Sequence, residues 1–350
     1  MKARPITIAI PVYNGEAYLR QSIESVLSQD FGDFDLTLHD NASTDSTWEI
    51  CNLYASRDKR VTCFRNDKNL GSIKNFLLAR QRSCSAFFKW HAHDDIIEPT
   101  FIGKAYRFMA ANSDYLACTS RIVFMDETGT PYLSEYLDFS LDSANPVERF
   151  RKFYGQGRND YAFPYGLMRK AMIDGIGFRK LWGADWVFVT ELIMRGKIHQ
   201  IQQPLLFFRM KINDPESYAV SNGPVALWAA RSSFFPFPNL RLNGAIASVI
   251  KNSSLPDEEK RRILSMFRAT RPLDQAVWRD CFHMLDHWGN RFPLLGRVLR
   301  MLKRHAKDRY MMLRNHPVSL AIRKAHEGRG IGDSPSSSKS GALNGESGRT

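Results

Sequence analysis

Ala86-Phe87-Phe88-Lys89-Trp90-His91-Ala92-His93-Asp94-Asp95 runs from a strand-like apolar stretch into two adjacent carboxylates. An acid pair just beyond a buried strand is poorly explained by packing, because each carboxylate prefers water or a cation. The pair therefore reads as a metal and nucleotide site. The plainer alternative is two solvated acids ahead of the helix that follows Pro99.

Outward from this stretch, short β-rich runs alternate with helix-like runs. Residues 6–12, 34–39, 61–64 and 86–90 read as strands, and 15–29, 46–57 and 72–83 as helices, with Ile23, Val26 and Leu27 at helical spacing. The pattern predicts a doubly wound α/β arrangement, a mostly parallel sheet flanked by helices. In such sheets the ligand lies outside the carboxyl ends of the strands. Those ends carry Pro11-Val12-Tyr13-Asn14, Asp40-Asn41-Ala42-Ser43-Thr44-Asp45, Asn66-Asp67-Lys68-Asn69-Leu70-Gly71 and His93-Asp94-Asp95. No Gly-x-Gly-x-x-Gly follows the first strand and no P-loop occurs anywhere, so a metal held by carboxylates is the natural substitute for holding phosphate. Further on, a helix over 101–111, a strand over 115–124 and a turn at 126–129 are expected, then a mobile loop over 210–224. Asp257 and the acids after it mark a helix start.

With 350 residues the chain can bury a substantial core. Its five cysteines are scattered without metal-ligand spacing, so neither a disulfide framework nor a zinc ribbon is favoured. The N-terminus runs directly into a strand pattern, and no apolar segment reaches the roughly 20 residues needed to span a bilayer. The expected location is cytosolic, with attachment to the inner face of a membrane as a possibility. The net charge of +13 concentrates toward the C-terminus: between 291 and 330, eleven Lys or Arg face two acids, Asp308 and Glu327, a local net of +9. Residues 294–304 mix apolar and cationic side chains at helical spacing, which suits either an anionic membrane surface or a packed helix with a solvated basic face. Nucleic acid is not expected, since no reader motif accompanies the charge.

The strand-end clusters, in this order, resemble the inverting glycosyltransferases of family 2, which have the GT-A nucleotide-diphospho-sugar transferase fold. The resemblance rests on residues 10–15 and 40–45, on Asn69-Leu70-Gly71 with Asn75, on His93-Asp94-Asp95, and on Gly183-Ala184-Asp185-Trp186. It implies a nucleotide-sugar donor, a Mn²⁺ or Mg²⁺ ion and transfer to a hydroxyl of a saccharide or lipid-linked saccharide acceptor in surface-glycan assembly. The Gln-x-x-Arg-Trp motif of processive members is missing, which favours single addition. The implied organisation is a GT-A domain over 1–215, with a donor half over about 1–125 and an acceptor half over 126–215. A helical C-terminal region over 216–325 and a disordered tail over 326–350 follow.

By this resemblance Asp95 ligates the metal, Asp94 contacts the ribose or assists, and Asp185 is the base that takes the acceptor proton, with Glu191 as runner-up. The plainer reading of Asp185, an N-cap for a helix over 186–194, is compatible with that role, and Trp186 offers an apolar face to a sugar ring. Asp40 accepts the imide N–H of a uracil or forms an Asx turn; Asp45 is a turn or cap residue. Tyr13 packs on the base or lies on the surface, with Pro11 and Asn14 shaping the same loop. Lys74 approaches the base or diphosphate or is merely solvated, and Arg209 and Lys211 hold the diphosphate or are solvated. His93 is a ligand, a supporting partner or a bystander. Two rival functions remain at this stage, a nucleotide-sugar or glycan binding protein without turnover and a basic membrane-surface scaffold.

Overall fold

The computed structural model describes residues 4–134, 138–155, 163–179, 181, 183–210 and 238–270. The chain divides into two compact units, Met1–Met284 and Leu285–Thr350, and every described residue belongs to the first. The expected loop over 210–224 beyond Met210, Lys211, the basic segment 291–325, most of the helical region 216–325 and the tail 326–350 lie outside the described residues.

The N-terminal half alternates as the sequence predicts: β1 (Ile6–Val12), α1 (Leu19–Leu27), β2 (Phe34–Asp40), α2 (Thr47–Arg57), β3 (Val61–Arg65), α3 (Ser72–Gln81) and β4 (Phe87–Trp90). Then come β5 (Ile96–Ile97), α4 (Phe101–Ala111), β6 (Tyr115–Met125), β7 (Pro131–Ser134) and α5 (Pro146–Gly155). A 3-10 turn (Phe163–Tyr165) leads to β8 (Leu167–Arg169), α6 (Lys170–Ile173), α7 (Ala184–Arg195) and β9 (Lys197–Arg209). Two further helices, α8 (Pro238–Asn252) and α9 (Asp257–Thr270), complete the described part.

The strands form one sheet in the order β3-β2-β1-β4-β8-β6-β9-β5, with β7 added on β6. It is parallel through β3, β2, β1 and β4, as expected, and mixed beyond. β8 runs antiparallel to both β4 and β6, while β6 and β9 are parallel. The three residues of β8 show no period in the sequence, which is why its reversal is not foreseen.

Every residue of β1 is buried. A strand covered on both faces needs apolar residues at every position, and alternate side chains then serve two cores. Ile8, Ile10 and Phe87 join α1, α2 and α4 on one face, through Ile23, Ile50 and Phe101. Ala9, Phe88 and Trp90 join α5, α7, α8 and α9 on the other, through Phe150, Phe188, Ile246 and Phe267. The two described C-terminal helices are therefore part of the same packed body as the sheet. No described helix is long and apolar enough to cross a membrane.

Candidate active site at the strand ends

The parallel register sets the ends of β1 to β4 side by side. Val12 lies opposite Asp40, Asp40 opposite Arg65, and the chain leaves each strand still paired, with Asn41 N–H on Val12 C=O and His91 N–H on Ala9 C=O. The loops after β1 and β2 interlock. Asn14 N–H donates to Ser43 Oγ at 2.9 Å, Thr44 N–H to Asn14 Oδ1 at 2.9 Å, and Gly15 N–H to Thr47 Oγ1 at 2.8 Å. Asp45 accepts from Glu16 and Thr47 N–H, the turn role read from the sequence. Asn14 and Ala42 both hold positive φ, 50° and 61°, a cost that this mutual bonding supports.

An asparagine network braces the next pair of ends. Asn66 Nδ2 bridges Asn41 Oδ1 and Asn75 Oδ1, Asn41 donates to Asn69, and Asn75 reaches His39 C=O. These are the asparagines singled out in the sequence, and the structure gives them a positioning job between β2, β3 and α3. Pro11 is buried in β1, while Tyr13 is 43 % exposed at the rim, the only exposed large apolar side chain among the described residues. Lys74 is exposed on the first turn of α3.

Of the two roles read for Asp40, the structure shows the local turn-forming one. Its carboxylate is fully buried, 3.2 Å from Arg65 Nε, and accepts the Ser43 N–H. The strand end is the right one, but the side chain supports the loop rather than facing outward.

The two acids of the pair differ in exposure. The chain turns at His93 and Asp94, with the Asp95 N–H on Ala92 C=O at 3.4 Å, and one acid faces inward. That residue is Asp95, which is 7 % exposed and accepts the Arg209 main-chain N–H at 2.9 Å. Burial, and then the charge of Asp94, push its carboxyl well above the usual carboxylate range. Asp94 keeps a partly open carboxylate, 3.9 Å from His93 Nδ1. Asp95, the metal ligand implied by the resemblance, is thus the inward member of the pair, and Asp94 and His93 are the more exposed donors of the segment. Beneath them Lys89 is fully buried, with Nζ on Trp90 C=O at 3.0 Å and Tyr165 C=O at 2.6 Å. Burial lowers its ammonium to about 7, against a smaller opposing pull from Asp95.

His93 packs on Gly15. A Cβ at Gly15 would stand 2.6 Å from His93 Cδ2 and 2.5 Å from Val12 Cγ2, so the glycine of the first strand end is there to admit the imidazole. Gly15→Ala is expected to cost about 1–3 kcal/mol by overpacking, read as a lower urea midpoint at unchanged slope.

Arg209 also departs from its expected role. It is 7 % exposed and its donors are taken by the protein. Nε bonds Asp94 C=O, Nη1 bonds the Asp126 and Glu127 carbonyls, and Nη2 bonds Gln21 Oε1. It is a clamp behind the acid pair and not a free cation for phosphate.

Asp185 lies in the first turn of α7. Gly183, at φ 72°, occupies the N-cap, so Asp185 is not the cap that its spacing suggests. A helix N-terminus favours a charged carboxylate. Asp185 opens into a cavity of about 540 Å³, whose lining includes Ser72, Phe76, Trp90, Tyr165 and Phe178. The Tyr165 main chain is tied to β4 through Lys89 Nζ, and burial, then the charges of Asp95, Asp94 and Asp185, raise its phenol well above its ordinary range. Trp186 points elsewhere, with its ring 5.6 Å from Phe153 and 5.7 Å from Tyr154. The aromatic wall beside Asp185 is instead Trp90, Phe178 and Phe76, at 5.5 and 6.1 Å from Trp90. The sequence reading missed this wall, since Phe76 and Phe178 come from distant elements; alternation along β4 was the only available signal for Trp90. Glu191 pairs with Arg195 at 3.2 Å and lines a separate cavity of about 440 Å³ with Asn252, so it does not share the Asp185 site.

Among the described residues no group of three metal-ligating acids, histidines or cysteines forms. Asp94 with His93 nonetheless fits a cation that takes one or two protein donors and completes its shell with water and diphosphate oxygens, as Mg²⁺ does.

A curled α/β sheet with its outward-facing acids at the strand ends is the GT-A arrangement of glycosyltransferases. Residues 7–177 match the model for glycosyl transferase family 2. An uncharacterized glycosyltransferase of Haemophilus influenzae is 35 % identical over 107 residues, 31 % of this chain and 43 % of that protein. The chain spans about half the length of the curated relatives it matches. In fold it is similar to S. aureus TarS 1-349 in complex with UDP-GlcNAc, with TM-score 0.59 and 17 % identity over 91 % of this chain and 92 % of that one. It is also similar to the mannosyltransferase PcManGT of Pyrobaculum calidifontis in complex with GDP-Man and Mn²⁺, with TM-score 0.52 and 12 % identity over 93 % and 88 %.

Proposed function

We propose that this protein is a metal-dependent, inverting glycosyltransferase that moves a sugar from a nucleoside diphosphate, most simply a UDP-sugar, to a hydroxyl of a saccharide or lipid-linked saccharide. The observation that carries the reading is the cavity that Asp185 lines together with Tyr165 and with Trp90, the last residue of the strand that leads into Asp94 and Asp95. A donor diphosphate at Asp94 then has its sugar directed toward the cavity beside Asp185. The neighbours bound to UDP-GlcNAc and to GDP-Man with Mn²⁺ support a nucleotide-sugar donor and a divalent cation.

In this account Tyr13 offers its ring to the nucleobase, and the interlocked loops at 13–16 and 41–47 hold it there. Asp40 fixes that floor through Arg65 and Ser43. Asp94 and His93 would hold Mn²⁺ or Mg²⁺, and the ion would neutralise the charge that builds on the departing diphosphate. Lys74, on the rim helix, adds positive charge near the same oxygens. Asp185 accepts the proton of the acceptor hydroxyl as that oxygen attacks the anomeric carbon from the face opposite the diphosphate; the C–O bond to phosphate breaks with its electron pair leaving on the nucleotide. Phe76, Trp90 and Phe178 exclude water from the attack path.

Release of nucleoside diphosphate from a panel of nucleotide sugars, with Mn²⁺ and mixed glycoside acceptors, tests the reading. Turnover of one donor with inversion at the anomeric carbon supports it. Tight donor binding with no turnover on any acceptor would favour a binding protein that has kept the fold. Placement in the cytosol at the inner face of a membrane is part of the same proposal, and fits a lipid-linked acceptor.

A further inference from the structure

We propose that Arg209 is the positioning residue of the acid pair, the side chain that fixes where Asp94 points and ties it to α1 and to the turn after β6. The inference rests on the reading of Asp94 as the cation-facing carboxylate.

The acid pair sits in a short connection. β4 ends at Trp90 and β5 contributes only Ile96 and Ile97; the segment between them is held at Ala92 C=O by Ser22 Oγ at 2.9 Å and by the Asp95 N–H at 3.4 Å, and neither bond reaches Asp94. The antiparallel pairing of β5 with β9 places Ile96 opposite Phe207, which brings the end of β9 back beside Asp94 and Asp95. Arg209 then grips the connection at two points. Its main-chain N–H donates to Asp95 Oδ1 at 2.9 Å and its Nε donates to Asp94 C=O at 3.0 Å. Turning the Asp94 carboxylate by rotating the backbone at this residue would break the second bond. Neither bond goes to the Asp94 carboxylate itself, which stays beside His93.

The rest of the guanidinium is anchored outside β5, on the turn after β6 and on α1. Nη1 donates to Asp126 C=O at 3.1 Å and Glu127 C=O at 2.8 Å, Nη2 donates to Gln21 Oε1 at 2.6 Å, and the cation lies 4.5 Å from the Tyr18 ring centroid. The receiving turn is itself preformed, because Asp126 Oδ1 accepts the Thr128 and Thr130 N–H groups. Gly129 supplies the left-handed backbone of that turn, at φ 92°. A planar fork that serves three chain segments at once is a task lysine cannot take over, having one compact ammonium. Removing a partner that orients a metal ligand without touching the metal typically costs 10- to 100-fold in metal affinity.

The test compares full-length wild type, Arg209→Ala, Arg209→Lys and Asp94→Asn by Mn²⁺ titration in the presence of UDP, followed by electron paramagnetic resonance, alongside thermal melts. Arg209→Ala is expected to weaken Mn²⁺ binding by about 10- to 100-fold. Arg209→Lys, which keeps a cation near Tyr18 but loses bonds to the Asp94, Asp126 and Glu127 carbonyls, is expected to bind Mn²⁺ at least 10-fold more weakly when measured at a temperature where the melts show both proteins fully folded. A loss of cation affinity in fully folded protein is not expected of a residue that only stabilises the fold. Wild-type Mn²⁺ affinity in Arg209→Lys, with Asp94→Asn weakened, overturns the positioning role alone. Unchanged affinity in Asp94→Asn overturns the acid-pair reading, and this inference with it.

Discussion

Asp185→Asn is expected to lower glycosyl transfer by about 10²- to 10⁴-fold, the usual contribution of a positioned general base. The substitution is nearly isosteric and removes the proton-accepting charge. Asp185 lies on the first turn of α7, where it lines the cavity with Phe76, Trp90 and Tyr165, so the donor site at Asp94 should be undisturbed. The loss should therefore fall on kcat, with the KM for donor close to wild type, as for an interaction made only in the transition state. Losing the carboxylate from the helix N-terminus costs at most about 1 kcal/mol, too little to unfold the protein. Steady-state kinetics of purified Asp185→Asn against wild type decides this; full activity would assign the proton to another group.

Asp94→Asn and Asp95→Ala are expected to fail in different ways. Asp94 is partly open beside His93, so Asp94→Asn should leave the melting point nearly unchanged and weaken Mn²⁺ by more than the 10–100-fold that removal of an outer partner costs. Asp95 is buried on the Arg209 N–H, so Asp95→Ala orphans a buried donor and should cost about 1–3 kcal/mol of stability. Urea denaturation measures the second effect and Mn²⁺ titration the first. The two outcomes interchanged would restore the opposite assignment of the pair.

Where the elements lie was largely legible in the sequence, and where their side chains point was not. β1 and α4 were readable to the residue because the first is an unbroken apolar run buried on both faces and the second has a clear apolar face. β5 and β8, at two and three residues, carry no period, yet they decide the site. β5 pairs with β9 and thereby brings Arg209 behind the acid pair, which turns Asp95 inward and leaves Asp94 out. The sequence offered two adjacent acids and no means of choosing between them. Trp186 illustrates the same limit: it follows Asp185 in the chain, but the helix sends its ring to Phe153 and Tyr154, and Trp90 from a distant strand takes the place beside the cavity. The asparagines at 41, 66, 69 and 75 were visible as a motif, while their role as a brace between β2, β3 and α3 emerged only when β2 and β3 were seen side by side. His93, left open by the sequence, is explained by Gly15, whose missing side chain makes space for the imidazole.

The central claim is that a nucleotide sugar binds at these strand ends through a divalent cation on Asp94. Thermal melting with nucleotide sugars, with and without Mn²⁺, tests it most directly. At a ligand concentration about 100 times Kd the stabilisation should approach about 2.7 kcal/mol, several degrees in Tm. The account predicts that shift for at least one nucleotide sugar in the presence of Mn²⁺, its loss with chelator, and its loss in Asp94→Asn. A shift of the same size without metal and in Asp94→Asn would contradict it.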